Sequence, residues 1–142
     1  MKESAITKLY VTDKIHFDFD PTVPCFIDEK VGVLLSEEFT LGMEGGLELF
    51  KEKIKEYPRI GWIANLSKAN VFGPEDSKWV IEHWTPAAVA AGLKYVAYIE
   101  PESDFAKEKL TRYIQEPGLY RGMIVNSFRD IEMAKNWLRS QL

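Results

Sequence analysis

Histidine and cysteine are scarce in this chain: His16, His83 and the single Cys25 are all it has in 142 residues. A lone cysteine excludes an intrachain disulfide, so a reducing, cytoplasmic setting is expected. Two histidines without a His-x-x-x-His, Glu-x-x-His or paired-cysteine spacing give no metal-ligand pattern, and no cofactor is expected. No apolar run approaches the ~18 residues of a membrane span. The opening Met1-Lys2-Glu3-Ser4-Ala5-Ile6-Thr7-Lys8 lacks the apolar centre of a signal segment. Basic residues are in deficit, with 18 Lys and Arg against 22 Asp and Glu and a formal net charge of −4. A general nucleic-acid surface needs a basic patch to displace counterions, so no nucleic-acid partner is expected. Neither Gly-x-Ser-x-Gly nor a Gly-x-x-x-x-Gly-Lys loop occurs, and Gly42 to Gly46 do not match a dinucleotide fingerprint.

What the chain does have is the material for a core. Hydrophobic residues make up 46% and charged residues 28%, the balance of a single folded domain spanning 1–142. Leu9 to Val11 and Ile15 to Phe19 read as short strands, the second alternating Ile15, Phe17 and Phe19 with His16 and Asp18. Asp20-Pro21 turns the chain. Pro24 to Ile27 and Val31 to Leu35 read as two arms of a hairpin around Asp28-Glu29-Lys30. Ser36 is the expected cap of a helix whose apolar face is Phe39, Met43, Leu47, Phe50, Ile54 and Tyr57. Gly42, Gly45 and Gly46 interrupt it, marking a break or a place where another backbone comes close.

Beyond Pro58, Trp62 to Leu66 reads as a buried strand that ends in a polar loop. Pro74 opens a helix kinked at Pro86 and closed by Gly92. Leu93 to Ile99 is the next strand, and Ser103 to Gln115 the next helix. Pro117-Gly118 is a turn, and Met123 to Val125 the last strand. Ser127-Phe128-Arg129-Asp130 fits a capping box for a final helix burying Ile131, Ala134, Trp137 and Leu138. From Val31 onward strand and helix alternate four times, which predicts an α/β fold with about four helices over a parallel core. Residues 1–30 form an N-terminal extension of antiparallel strands.

Three segments resemble a known family. Val31-Gly32-Val33-Leu34-Leu35-Ser36-Glu37-Glu38-Phe39 is similar to the first strand and helix start of STAS-like proteins. Asn65-Leu66-Ser67-Lys68-Ala69 is similar to the Asp-Leu-Ser strand end of STAS domains. Phe128 to Leu138 resembles the Phe-x-x-x-x-x-Ala-x-x-Trp-Leu helix of the STAS-like group. The resemblance implies the SpoIIAA-like mixed sheet and a bacterial-type, non-catalytic regulatory role through protein–protein interaction, like that of anti-sigma-factor antagonists. In those proteins a partner kinase phosphorylates a serine in an Asp-Ser-Ser-Gly turn. Asp76-Ser77-Lys78-Trp79 is the nearest match here, which makes Ser77 the candidate phosphosite.

Other candidates follow from residue chemistry. Asn65, Ser67, Lys68 and Asn70 supply donors and a cation beyond a strand end, suited to a carboxylate or phosphate; the same residue types also bond their own backbone in turns. Ser77 suits an ordinary first helical turn as well as a phosphate. Trp79 and His83 lie on the helix after the loop, where they serve as partner contacts or as core, with His83 read as partly buried. Cys25 reads as a buried, inert thiol, since no activating base is near it in sequence. No catalytic residue is assigned.

Two functional readings stand from the sequence. One is a docking domain that uses the Asn65–Trp79 loop and the helix it leads into, for a protein partner that the sequence does not identify. The other is a carrier or sensor of a small molecule or lipid, with a cleft between the 75–91 helix and the sheet. An enzyme ranks last and requires Glu100, His83 and a serine or cysteine to converge. A homodimer through an edge strand or an aromatic face is open.

Overall fold

Ile15, Phe17 and Phe19 point one way and His16, Asp18 and Asp20 the other, and a sheet is built outward from that alternation. The computed structural model describes residues 6–69, 74–115 and 122–142. The turn expected at Pro117-Gly118 lies outside them. Strands β1 (Thr7–Val11), β2 (Ile15–Asp20), β3 (Cys25–Gly32), β4 (Gly61–Ala69), β5 (Tyr95–Ile99) and β6 (Ile124–Phe128) form one sheet in sequence order. β1, β2 and β3 pair antiparallel, and β3 through β6 pair parallel. The mixed sheet with a parallel core and antiparallel N-terminal strands is the predicted fold class.

The expected hairpin at Asp28-Glu29-Lys30 is instead continuous strand, because β3 runs straight through the three charges. The run holds no Gly, Pro or Asn to make a turn. Asp28 and Lys30 sit two positions apart on one face and pair with each other at 2.7 Å.

Helix α1 (Ser36–Lys53) lies on the face carrying Phe17, Phe26 and Trp62. Its cap is Leu35 rather than Ser36: the Glu38 carboxylate reaches back to accept the Leu35 N–H at 2.9 Å. The glycines do not break it. A Cβ on Gly46 would stand 2.6 Å from the Phe17 ring, and one on Gly42 would collide with Ile15. Glycine is what lets this helix settle directly on β2, so the close approach is to side chains rather than to another backbone.

The next helical run comprises α2 (Pro74–Trp79), a π-helical turn (Val80–Trp84) and α3 (Thr85–Ala91). The irregularity predicted at Pro86 falls one turn earlier. Pro86 has no N–H for the Glu82 carbonyl, and the preceding residue, Thr85, bonds back five positions to Val80. Gly92, at φ 114°, ends the run. Helix α4 (Asp104–Ile114) is capped by Ser103, whose hydroxyl accepts the Ala106 N–H at 3.1 Å. It buries Ala106, Leu110 and Tyr113 and leaves Phe105 exposed. Helix α5 (Ile131–Gln141) is capped by Asp130, not by Ser127, which belongs to β6. The Asp130 carboxylate accepts the Met133 N–H at 2.9 Å.

Strands laid down in sequence order put their connections on one face when every crossover has the same, right-handed sense. α1, the 74–91 run and α4 accordingly pack on the Phe26 and Trp62 face. α5 follows the last strand and covers the opposite face, with Ala134 and Leu138 on Cys25, Ile27, Ile63, Ala97 and Ile99. Trp62 and Trp84 are buried, whereas Trp79 and Trp137 are half-buried. Trp137 stands against Tyr95 and Phe128 at the margin of the α5 layer.

The position that the pattern missed on α5 is Lys135. It is buried and reaches Asp20 at 2.7 Å, and Asp20 also accepts the Thr22 N–H and hydroxyl at 2.9 and 2.6 Å. Burial pushes the Asp20 carboxyl up, but the bonds from Lys135 and Thr22 outweigh it and hold the group below the ordinary carboxylate range. A carboxylate with a lowered folded-state pKa adds stability above its unfolded value of about 3.9, and that stability is lost as the pH falls through the folded-state value. Lys135→Met should therefore cost about 3–5 kcal/mol near neutral pH by stranding a buried charge. The gap between the urea melts of the two proteins should shrink as the pH falls through the lowered folded-state value of Asp20, where the carboxylate takes up its proton. A pH-independent gap would show that packing, not the ion pair, sets the effect.

Candidate functional site

The row Phe17, Asp28, Ala64 and Tyr98 runs in register across β2, β3, β4 and β5. Ala64 is the small member, between a carboxylate and a phenol, and space is left above it. The helical layer does not fill that space. A cavity of about 30 Å³ remains between the sheet and the 74–91 run, with Val80, Trp84 and Thr85 from above and Met43 and Phe39 of α1 at one side. One water needs ~10–15 Å³ on this measure, so the cavity holds about two.

Its polar corner is unusual for an otherwise aromatic core. Asp28 is 0% exposed and Lys30 2%. The Asp28 Oδ2 atom takes Lys30 Nζ at 2.7 Å and the Trp62 indole N–H at 3.3 Å. Lys30 Nζ also stands 5.6 Å from the centre of the Phe39 ring. The other oxygen, Asp28 Oδ1, is buried with no hydrogen-bond partner among the described residues, and so is the Thr85 hydroxyl. Buried polar atoms nearly always have a partner, so two orphans lining one cavity leave room for a water or another polar group between them. The far wall is Tyr98 with Tyr113, whose phenol is pushed up by burial against a hydrogen bond with Tyr98.

The aromatic wall is stiff. Phe26 stacks on Trp62 at 5.3 Å, and Trp62 meets Trp84 edge-on at 5.1 Å. The Trp84 indole N–H is anchored on the Met43 carbonyl at 2.8 Å. The helical run reaches this wall through its π turn, which ends at Trp84 and delivers Thr85 to the cavity. Such turns recur at functional sites.

No family model, curated protein or solved structure matches this chain.

The residues singled out in the sequence lie elsewhere, and not together. Asn65, Ser67 and Lys68 belong to β4 rather than to a loop. Asn65 Oδ1 accepts the Ser67 N–H and hydroxyl at 3.1 and 2.8 Å, which is the turn-type self-bonding of these residue types. On the sheet face opposite the cavity, Asn65 and Lys68 approach Glu29 at 3.4 and 3.8 Å, and His16 approaches it at 3.3 Å. His16 is therefore half-buried beside Glu29. Asp18 shares that face; burial raises its carboxyl, partly offset by Lys8 and His16. Asn70 lies outside the described residues. Ser77 is half-buried, and Trp79 packs edge-on against Phe39.

His83 is exposed, not partly buried, because the π turn directs Val80 and Trp84 inward and leaves His83 facing out. Cys25 is buried under α5, and burial pushes its thiol up to about 12. Cys25 and His83 thus lie on opposite sides of the sheet. Among the described residues, no three His, Cys, Asp or Glu side chains are grouped to hold a metal ion, and no helix is long and apolar enough to cross a membrane.

Asp28, Lys30 and Thr85 were not picked out from the sequence. The one signal for Asp28 and Lys30 is a charged stretch without Gly, Pro or Asn between two apolar runs; Thr85 has none. Lys30→Met should cost about 3–5 kcal/mol, since it leaves the Asp28 charge unpaired in an apolar setting. Adding Asp28→Asn removes that charge and keeps an acceptor for the Trp62 indole. The double variant should recover more than half of the loss in chemical denaturation. Additive losses would mean the two side chains act independently.

Proposed function

We propose that this chain is a non-catalytic regulatory domain that senses a small polar molecule held between the 74–91 helical run and the sheet. The observation that carries this reading is the pair of buried, unpartnered atoms, Asp28 Oδ1 and Thr85 Oγ1, at one cavity. A ligand that satisfied both would tie β3 to the π turn. The outer side of that run carries the exposed His83, where a partner would read the change. The STAS-like resemblance supports a regulatory role over a catalytic one.

A ligand that binds only the folded state at 100 times its dissociation constant adds about 2.7 kcal/mol of stability. Protein purified natively should therefore melt higher than the same protein stripped by unfolding and refolding. Native mass spectrometry should show an added small mass that the stripped protein lacks. Identical melting and identical masses, across purifications from different growth conditions, would overturn the reading.

A docking reading has its own support. Val33, Leu35 and Leu41 are 59%, 66% and 61% exposed just beyond the carboxyl end of β3 and along α1. Exposed apolar side chains of this size suit a protein partner. On this reading Ser77→Asp, which imitates a phosphate charge on α2, weakens the partner complex by about tenfold or more. Unchanged affinity for an identified partner would remove Ser77 from the account.

A further inference from the structure

The cavity also restricts the chemistry of what enters it. Asp28 and Lys30 already cancel each other's charge at 2.7 Å. An ionic ligand would add an uncompensated charge among Trp62, Trp84 and Tyr98, which is costly in so apolar a setting, so the ligand is uncharged. As the anionic half of the pair, Asp28 offers at Oδ1 only an acceptor, so the ligand must bring an N–H or O–H. Lys30 carries three N–H donors, more than its bond to Asp28 uses, and the Thr85 hydroxyl donates as well; the ligand therefore also brings an acceptor. The volume of about 30 Å³ admits a polar group of roughly three heavy atoms. Flanking aromatic rings favour a flat one.

Resting on the sensor reading above, we propose that the cavity takes the primary carboxamide head of a small uncharged ligand. Its N–H faces Asp28 Oδ1, and its carbonyl faces the Thr85 and Lys30 donors.

Formamide, formate and formamidinium share one three-heavy-atom shape and differ in charge. Each is titrated into the stripped, isotope-labelled protein at matched ionic strength, and the Trp62 and Trp84 indole N–H signals are followed by NMR. Fragments of this size bind in the millimolar range or weaker, which sets the concentrations. Formamide should shift the Trp62 signal saturably, and both ions should bind at least about tenfold more weakly. Thr85→Val should weaken formamide about fivefold without lowering the denaturation midpoint, and Thr85→Ser, which keeps the hydroxyl, should restore it. Formate or formamidinium binding as tightly as formamide would overturn the carboxamide assignment while leaving a ligand site in place. An absence of saturable shifts from all three probes would overturn the sensor reading with it, the cavity then holding water only.

Discussion

A single ion pair sets the character of this molecule: Asp28 and Lys30, 2.7 Å apart on one strand and closed off from solvent beneath an aromatic layer. Removing two charges from water costs several kcal/mol each unless they hold one another. β3 runs unbroken through Asp28-Glu29-Lys30 because the i and i+2 positions of a strand bring both charges to one face. β3 stands between the antiparallel strands and the parallel ones, and the pair puts a polar corner into a face otherwise built from Phe17, Phe26, Trp62 and Tyr98.

The helix layer adapts to that corner. α1 settles on β2 through Gly42 and Gly46, with Ile15 and Phe17 filling the room that larger side chains would need. The 74–91 run reaches across β4 and β5, and its π turn accommodates Pro86 while delivering Trp84 and Thr85 to the sheet. Ala64 is too small to meet them. The cavity is the residue of these three demands, and its two unpartnered polar atoms belong to the strand with the ion pair and to the helical run with the π turn. On the other face, Lys135 and Asp20 repeat the principle on a smaller scale by fixing α5 to the β2–β3 turn.

The strand order explains why the polar strand end at Asn65 to Lys68 is not the site that the cavity is. In doubly wound sheets, ligands settle where the strand order reverses and neighbouring connections part to opposite faces. Here β1 to β6 follow in sequence, and the connections from β3 to β6 share one face. No such parting occurs among the described strands, so Asn65, Ser67 and Lys68 turn to one another and to Glu29. The space that remains lies under the helices.

The strand and helix alternation after Val31, the apolar face of α1, the helix that follows Ser103 and the stop at Gly92 follow from local chemistry and were legible in the order of residues. So was the inert Cys25, since an apolar strand buries its own thiol. Local chemistry also misled: a three-charge stretch resembles a turn, and a serine before two glutamates resembles a cap, until the long-range partners are known. Which charges pair, which glycines touch β2 and which hydroxyl is stranded are relations between segments tens of residues apart. Asp28 meets Trp62, and shares a cavity with Thr85, only once the sheet is assembled and the helical run lies across it. Propensity and periodicity act over a few residues, so they determined the elements; the register of the strands and the packing of the helices across them decided the cavity.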